Sequence, residues 1–370
     1  MRNVLAVLLS LFVAFVAAAA LGDDAVAGRT HVLVGAMNGS WVPLEGGPSK
    51  PLYSGGGGAL SVATDGERFL VTDGPYIALF EEGEALPLKT SRIDPLGSTR
   101  PGFATWDGNR YLVAWTNTSG EVHVAALNRE GDVITTSSLD GVFEVSGLMV
   151  NGDQVLLLEQ RNLPAVYPTV RRLRAILLNA DLSTKKVILL GEIPELFMHH
   201  HVSFQTEGSV IPFGDGFYVA WHQGEQFWSA ATENSKVVGT RITADGTALD
   251  LREHFQDGLR TLEGRPLLNG VAEAFDTDLV DANGYVVAVI KRENREAKAP
   301  LTGTFVAHDG LILGARQLAE VELHDNRRTQ LETLRLRDGR IVAVSLVDHE
   351  AELIPLDITA PRLPRRRAVR

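Results

Sequence analysis

Apolar and polar residues alternate over short stretches along most of this chain, and the same stretch recurs. It appears as "RFLVT" from Arg68, "RYLVAW" from Arg110, "QVLLLE" from Gln154, "FYVAW" from Phe217, "YVVAVI" from Tyr285 and "RIVAVS" from Arg340. Runs of this length, rich in β-branched and aromatic residues, read as strands. A turn signal precedes each of them: "TDGE", "WDGN", "VNGD", "FGDG", "DANG" and "LRDG". Asp-Gly and Asn-Gly supply the positive φ angles that tight hairpins need. Before each turn lies another short β-type run, such as "ALSVA" or "SGLMV". After each strand come two more, as in "EVHVAALNREGDVITTSS" over residues 121–138, again with a polar turn in the middle. The unit is four antiparallel strands.

The first apolar residues of the second strands are Phe69, Tyr111, Val155, Phe217, Tyr285 and Ile341, spaced 42, 44, 62, 68 and 56 residues apart. Four-stranded units at about 40–50 residues, the longer ones carrying insertions, predict an all-β fold, a β-propeller in one domain over 30–360. Six blades are expected, with seven as the alternative. The last unit has three strands after Leu331, and the N-terminus has spare strands in "HVLVGAM" and "SWVPL". The expectation is therefore that a strand within 31–44 pairs with the last unit and closes the ring, removing an exposed sheet edge. In "RYLVAW", Tyr111, Val113 and Trp115 point to one face and Leu112 and Ala114 to the other. Both faces are apolar, as a sheet sandwiched between neighbours requires, and Trp115 and Trp221 read as packing between blades.

These second strands resemble the "YLVAW"-type repeats of bacterial secreted β-propeller proteins over roughly 59–357. The resemblance implies an architecture and no particular activity, since propellers host many functions.

The connections are uneven. Those between first and second strands, and between third and fourth, read as short throughout. Length varies between second and third strands, over 161–169, 222–235 and 291–300, and between units, over 194–208 and 253–270. Both of these classes emerge on one side of an up-and-down blade, and that side is expected to be the binding face. The candidates there are His199, His200 and His201, with Trp221, His222, Glu225 and Trp228 in the next long connection. Histidines beside a carboxylate suit zinc binding or acid–base work, but no metal-ligand spacing supports that, and a solvated polar loop is the plainer reading. Whether a metal binds stays open, and no cofactor is expected. "DTDLVDANG" over 276–284 hints at a calcium loop, yet its spacing departs from that pattern and suits an Asp-rich turn. No nucleophile elbow or phosphate-binding loop is present. The expected function is recognition of a glycan, a peptide or an envelope protein. A carbohydrate-active hydrolase or lyase with its site at the channel mouth is the alternative.

Composition narrows the address. Arg2 followed by an apolar run over 4–21 reads as a signal peptide, with small-residue cleavage motifs ending at Ala20 and at Ala27. The mature chain is expected to be a secreted or periplasmic monomer without a transmembrane segment. There is no cysteine, which excludes disulfides and thiolate metal sites. Net charge is −11, and six of the arginines offsetting it lie at the two ends, so the body repels nucleic acid phosphates. The tail "PRLPRRRAVR" joins five arginines to two prolines, and its last ten residues, 361–370, read as disordered.

Overall fold

The computed structural model describes residues 25–35, 39–52, 60–97, 102–142, 144–163, 169–195, 201–205, 210–226, 236–256, 259–269, 274–282, 285–293, 298–322, 331–347 and 350–359. The expected signal peptide (1–20) and basic tail (361–370) lie outside the described residues.

Seven antiparallel sheets follow one another along the chain. Blade 1 is β1 (Ala25–Ala27), β2 (His31–Val34), β3 (Ser40–Pro43) and β4 (Lys50–Pro51). Blade 2 is β5 (Ser61–Thr64), β6 (Arg68–Asp73), β7 (Tyr76–Glu81) and β8 (Lys89–Arg92). Blade 3 is β9 (Phe103–Trp106), β10 (Tyr111–Thr116), β11 (Val122–Leu127) and β12 (Val133–Leu139). Blade 4 is β13 (Val145–Asn151), β14 (Gln154–Leu163), β15 (Thr169–Leu178) and β16 (Thr184–Glu195). In blade 5, β17 (His201–Gln205) and β18 (Val210–Phe213) both pair with β19 (Gly216–Gln226), which pairs with β20 (Lys236–Ile242). A hairpin of β21 (Arg252–Gln256) and β22 (Leu259–Glu263) then leaves to join blade 4, before β23 (Arg265–Asn269) completes blade 5. Blade 6 is β24 (Ala274–Asp281), β25 (Tyr285–Glu293), β26 (Lys298–Ala307) and β27 (Ile312–Glu322). Blade 7 is β28 (Leu331–Arg335), β29 (Ile341–Val347) and β30 (Glu350–Pro355).

The innermost strands touch in sequence around a ring, β1 to β5, β9, β13, β18, β24, β28 and back to β1. Seven apolar clusters fill the seven gaps between blades. The alternation read from the sequence decides which gap each residue fills. Tyr111, Val113 and Trp115 pack between blades 2 and 3, while Leu112 and Ala114 pack between blades 3 and 4. Phe217, Val219 and Trp221 fill the gap between blades 4 and 5, with Tyr218 and Ala220 on the far side.

The blade count thus corrects to seven, not six. The residues set aside as spare, His31–Val34 and Ser40–Pro43, pair with each other and with β1 and β4 in a blade of their own. Among the described residues neither pairs with blade 7, so the expected closure by a shared strand is not how these strands are used. Val32, Val34 and Val42 of blade 1 instead pack face to face against Leu334, Val342 and Val344 of blade 7.

In blades 2 and 3 the Asp-Gly signals act as read, whereas in "FGDG" the positive φ falls on Gly214 and Gly216 opens β19. In "TDGER" the Asp65 carboxylate accepts from the backbone N–H of Glu67 and Arg68 at 2.9 and 2.8 Å. In "WDGNR" Asp107 does the same for Asn109 and Arg110 at 2.9 and 2.7 Å. The intervening glycines take φ of +91° and +93°, a region closed to most side chains. On this side of the ring, cations from one blade reach the turn between third and fourth strands of the next. Lys50 donates to the Gly83 carbonyl, Lys89 to Glu130, Arg110 to Ala180, Lys186 to Asp245 and Arg265 to Gly310, at 2.7–3.1 Å. Arg316 of blade 6 reaches the Asp357 carbonyl at 2.5 Å. The last blade breaks the series: Arg337 donates to Gly66 of blade 2, not to blade 1, at 2.8 Å.

Candidate functional site

The opposite side of the ring is built unevenly. In blades 2 and 3 the second and third strands have six residues each and turn at once. In blade 4 they have 10 each, in blade 5 the second has 11, and in blade 6 they have 9 and 10. Among the described residues, what read as long loops between second and third strands is continued strand at their ends, over 161–163, 169, 222–226, 291–293 and 298–300. Blade 4 keeps its register from Val155↔Leu178 out to Leu163↔Val170. Blade 5 adds β17 along the upper part of β19, pairing His201 with Gln226 and Gln205 with His222. Three consecutive blades therefore raise hairpins on one face, beside lower blades.

One connection was misplaced by sequence. Residues 253–264 are not a link between units but part of the passage from third to fourth strand inside blade 5, and 265–269 are that fourth strand, β23. The stretch "TALDL" that follows β20 joins the sheet only through the isolated bridge Ile242↔Ala248. The hairpin β21–β22 attaches to the outer edge of blade 4 through Glu192↔Leu262. The chain then returns through Gly264, where a Cβ would lie 2.7 Å from the Trp221 ring and 2.8 Å from the Gly239 carbonyl, so only glycine fits without displacement.

Buried polar groups mark the foot of the raised hairpins, where the strands leave the apolar gaps. Glu159 is fully buried and receives Arg174 through two nitrogens, Nε to Oε2 and Nη2 to Oε1, the latter at 2.7 Å. The same Arg174 Nη2 donates to the Gly141 carbonyl of blade 3 at 2.7 Å. One step higher, Arg172 pairs with Glu192 across β15 and β16. In blade 5 Lys236 meets Glu263 at 2.5 Å. Lys291 is buried at the corresponding height of blade 6. Asp278, on the innermost strand of blade 6, accepts from Thr333 of blade 7 through its backbone N–H at 2.5 Å and its hydroxyl at 2.6 Å. That commits the supposed calcium motif to joining two blades, and Asp276, Asp278 and Asp281 all lie on β24. Among the described residues no three His, Asp or Glu side chains are grouped to hold a metal.

Of the seven candidate residues, Trp221 is fully buried in the gap between blades 4 and 5, in agreement with its reading as packing. His222 follows it on β19, on the face that Tyr218 and Ala220 turn toward blade 6, with 1% exposure, and burial lowers its pKa to about 4. The register places His201 and Glu225 on the paired strands β17 and β19, on neighbouring rungs. His199, His200 and Trp228 lie outside the described residues. The buried charges Glu159 and Lys291 were missed. Their signal was a charge at the end of an otherwise apolar run, "QVLLLE" and "YVVAVIK".

No family model matches the chain, and no curated protein matches it in sequence. Solved structures do match in fold. The WD40 β-propeller domain of Doa1 superposes with a TM-score of 0.51 at 14% identity, covering 91% of this chain and 92% of that one. A chain of the mitotic checkpoint complex gives 0.52 at 12% identity, with 92% of each covered. The extracellular domains 1–2 of Drosophila semaphorin 1a give 0.51 at 11% identity, covering 92% of this chain and 86% of that one. At such identities the likeness is one of fold. The chain is a seven-bladed β-propeller with four-stranded antiparallel blades, the last showing three strands among the described residues. No helix among the described residues is long and apolar enough to cross a membrane.

Proposed function

We propose that the protein is exported and works as a recognition module, taking a glycan, a peptide or an envelope protein on the face that carries the raised hairpins. One observation carries this reading: second and third strands grow from six residues in blades 2 and 3 to 9–11 in blades 4 to 6 in every case but β20, which has seven. Three neighbouring blades extended on one side make a wall beside a lower floor. The ring's packing does not require it, because blades 2 and 3 close their gaps without it. Repeat proteins place such additions on the side that meets a partner.

Gln223 and Lys236 are cross-strand partners, so replacing 224–235 by Asn-Gly rebuilds a short hairpin like those of the lower blades. The trimmed and parent proteins are immobilised and exposed to a panel of purified glycans, peptides and envelope proteins. Trimming is expected to abolish capture while leaving the melting transition cooperative. Capture that survives trimming of blade 5 and of the matching hairpins in blades 4 and 6 would move the site to the other face.

A further inference from the structure

The two small-residue motifs near the N-terminus stand in different relations to the fold. The motif ending at Ala27 is itself β1. Ala25, Val26 and Ala27 pair with Val34, Leu33 and Val32. This strand touches the innermost strands of both neighbours, β5 of blade 2 and β28 of blade 7. Val26 packs on the cluster between blades 1 and 2, and Ala25 and Ala27 on the cluster between blades 7 and 1. Just beyond it the chain turns at Gly28–Thr30, and the Glu82 carboxylate of blade 2 accepts from the N–H groups of Thr30 and His31 at 2.6 and 2.9 Å.

We propose that the mature chain begins at Leu21, the leader being cut after Ala20, and that the second motif is kept as the inner strand of blade 1. The proposal rests on the export reading above. A cut after Ala27 would take away β1 whole. It would leave the inner edge of β2 without its partner and open the ring between β5 and β28. A terminal ammonium at Gly28 would lie beside Glu82, since a Cβ there would sit 2.4 Å from its Oε1. One solvent-facing ion pair does not offset the loss of a paired strand and its packing on two sides.

The test makes the full chain in a bacterial host and measures the intact mass of the product recovered outside the cytoplasm. The expected mass is that of residues 21–370. A product of residues 28–370 overturns the proposal and leaves export standing, whereas a product that keeps the leader overturns both. Alongside, chains made without a leader and starting at Leu21 or at Gly28 are compared by thermal melting. The Gly28 start is expected to aggregate or to melt at least about 5 °C lower, the scale of losing a few stabilising contacts in a large domain. Equal melting of two soluble monomers would overturn the structural role of β1.

Discussion

His222 and Glu82 both tie stability to pH, in different windows. Burial holds the His222 imidazole near pKa 4, below the 6.5 of the free side chain. As pH falls from 6.5, the unfolded chain takes up the proton first, so stability drops by up to about 1.4 kcal/mol per pH unit until the folded pKa is reached. Unfolding midpoints measured in guanidinium from pH 7 to 4 should show that loss, and His222→Leu should remove most of it. For Glu82, partial burial pushes the pKa up, but hydrogen bonds from Thr30, Arg29 and His31 outweigh it and leave the pKa below 4.5. Its contribution is therefore present above pH 4.5 and disappears as pH falls through the lowered folded value. Glu82→Gln should melt below wild type at pH 7, and the two curves should draw together as the pH is lowered below 4.5. Arg174→Leu would break the buried ion pair with Glu159, at a cost of about 3–5 kcal/mol, read as a shift in the denaturant midpoint. Sequence made Trp115 and Trp221 legible as packing because alternation assigns a face to every residue of a strand. It did not make the Glu159–Arg174 pair legible, because the partners sit on different strands and their meeting depends on register.

The turn–strand signature found the second strands of six blades, and all six are strands in the fold. Local pattern states that a segment is a strand without naming its neighbour. That is why β21–β22 was taken for a connection: its attachment to blade 4 rests on the pair Glu192↔Leu262, which no alternation encodes. The same limit makes the hairpins of blades 4 to 6 look like loops, since their upper strands carry polar runs such as "QRN", "HQGEQ" and "KRE". At the return from this hairpin, Gly264→Val should displace Trp221 or the backbone of β20 and destabilise by about 1–3 kcal/mol, the usual range for overpacking. A melting temperature equal to wild type would mean that the hairpin moves aside without strain.

For the whole molecule, the blade count was missed because blade 1 lacks the long apolar second strand that identified the others. "HVLV" has four residues against six in "YLVAWT". Contacts between innermost strands carry much of the ring's continuity, and between blades 6 and 7 Asp278 supplies two of them. Asp278→Ala should cost about 1.5–3 kcal/mol, the worth of hydrogen bonds to a charged group, and chemical denaturation reads it. Blade 1 contains its four strands within 25–51, and among the described residues it meets the far end of the chain through a packed face. A ring stitched by a strand shared between its ends cannot complete its first sheet until the last residues have been synthesised. Here the backbone pairing of blade 1 is local in sequence and can form as soon as its residues emerge. Among the described residues, what must wait for blade 7 is an apolar contact with blade 1 and the Arg337–Gly66 hydrogen bond to blade 2. Among the described residues, the contact that joins blade 1 to blade 7 across about 300 residues of chain is thereby a docking of faces and not a search for strand register.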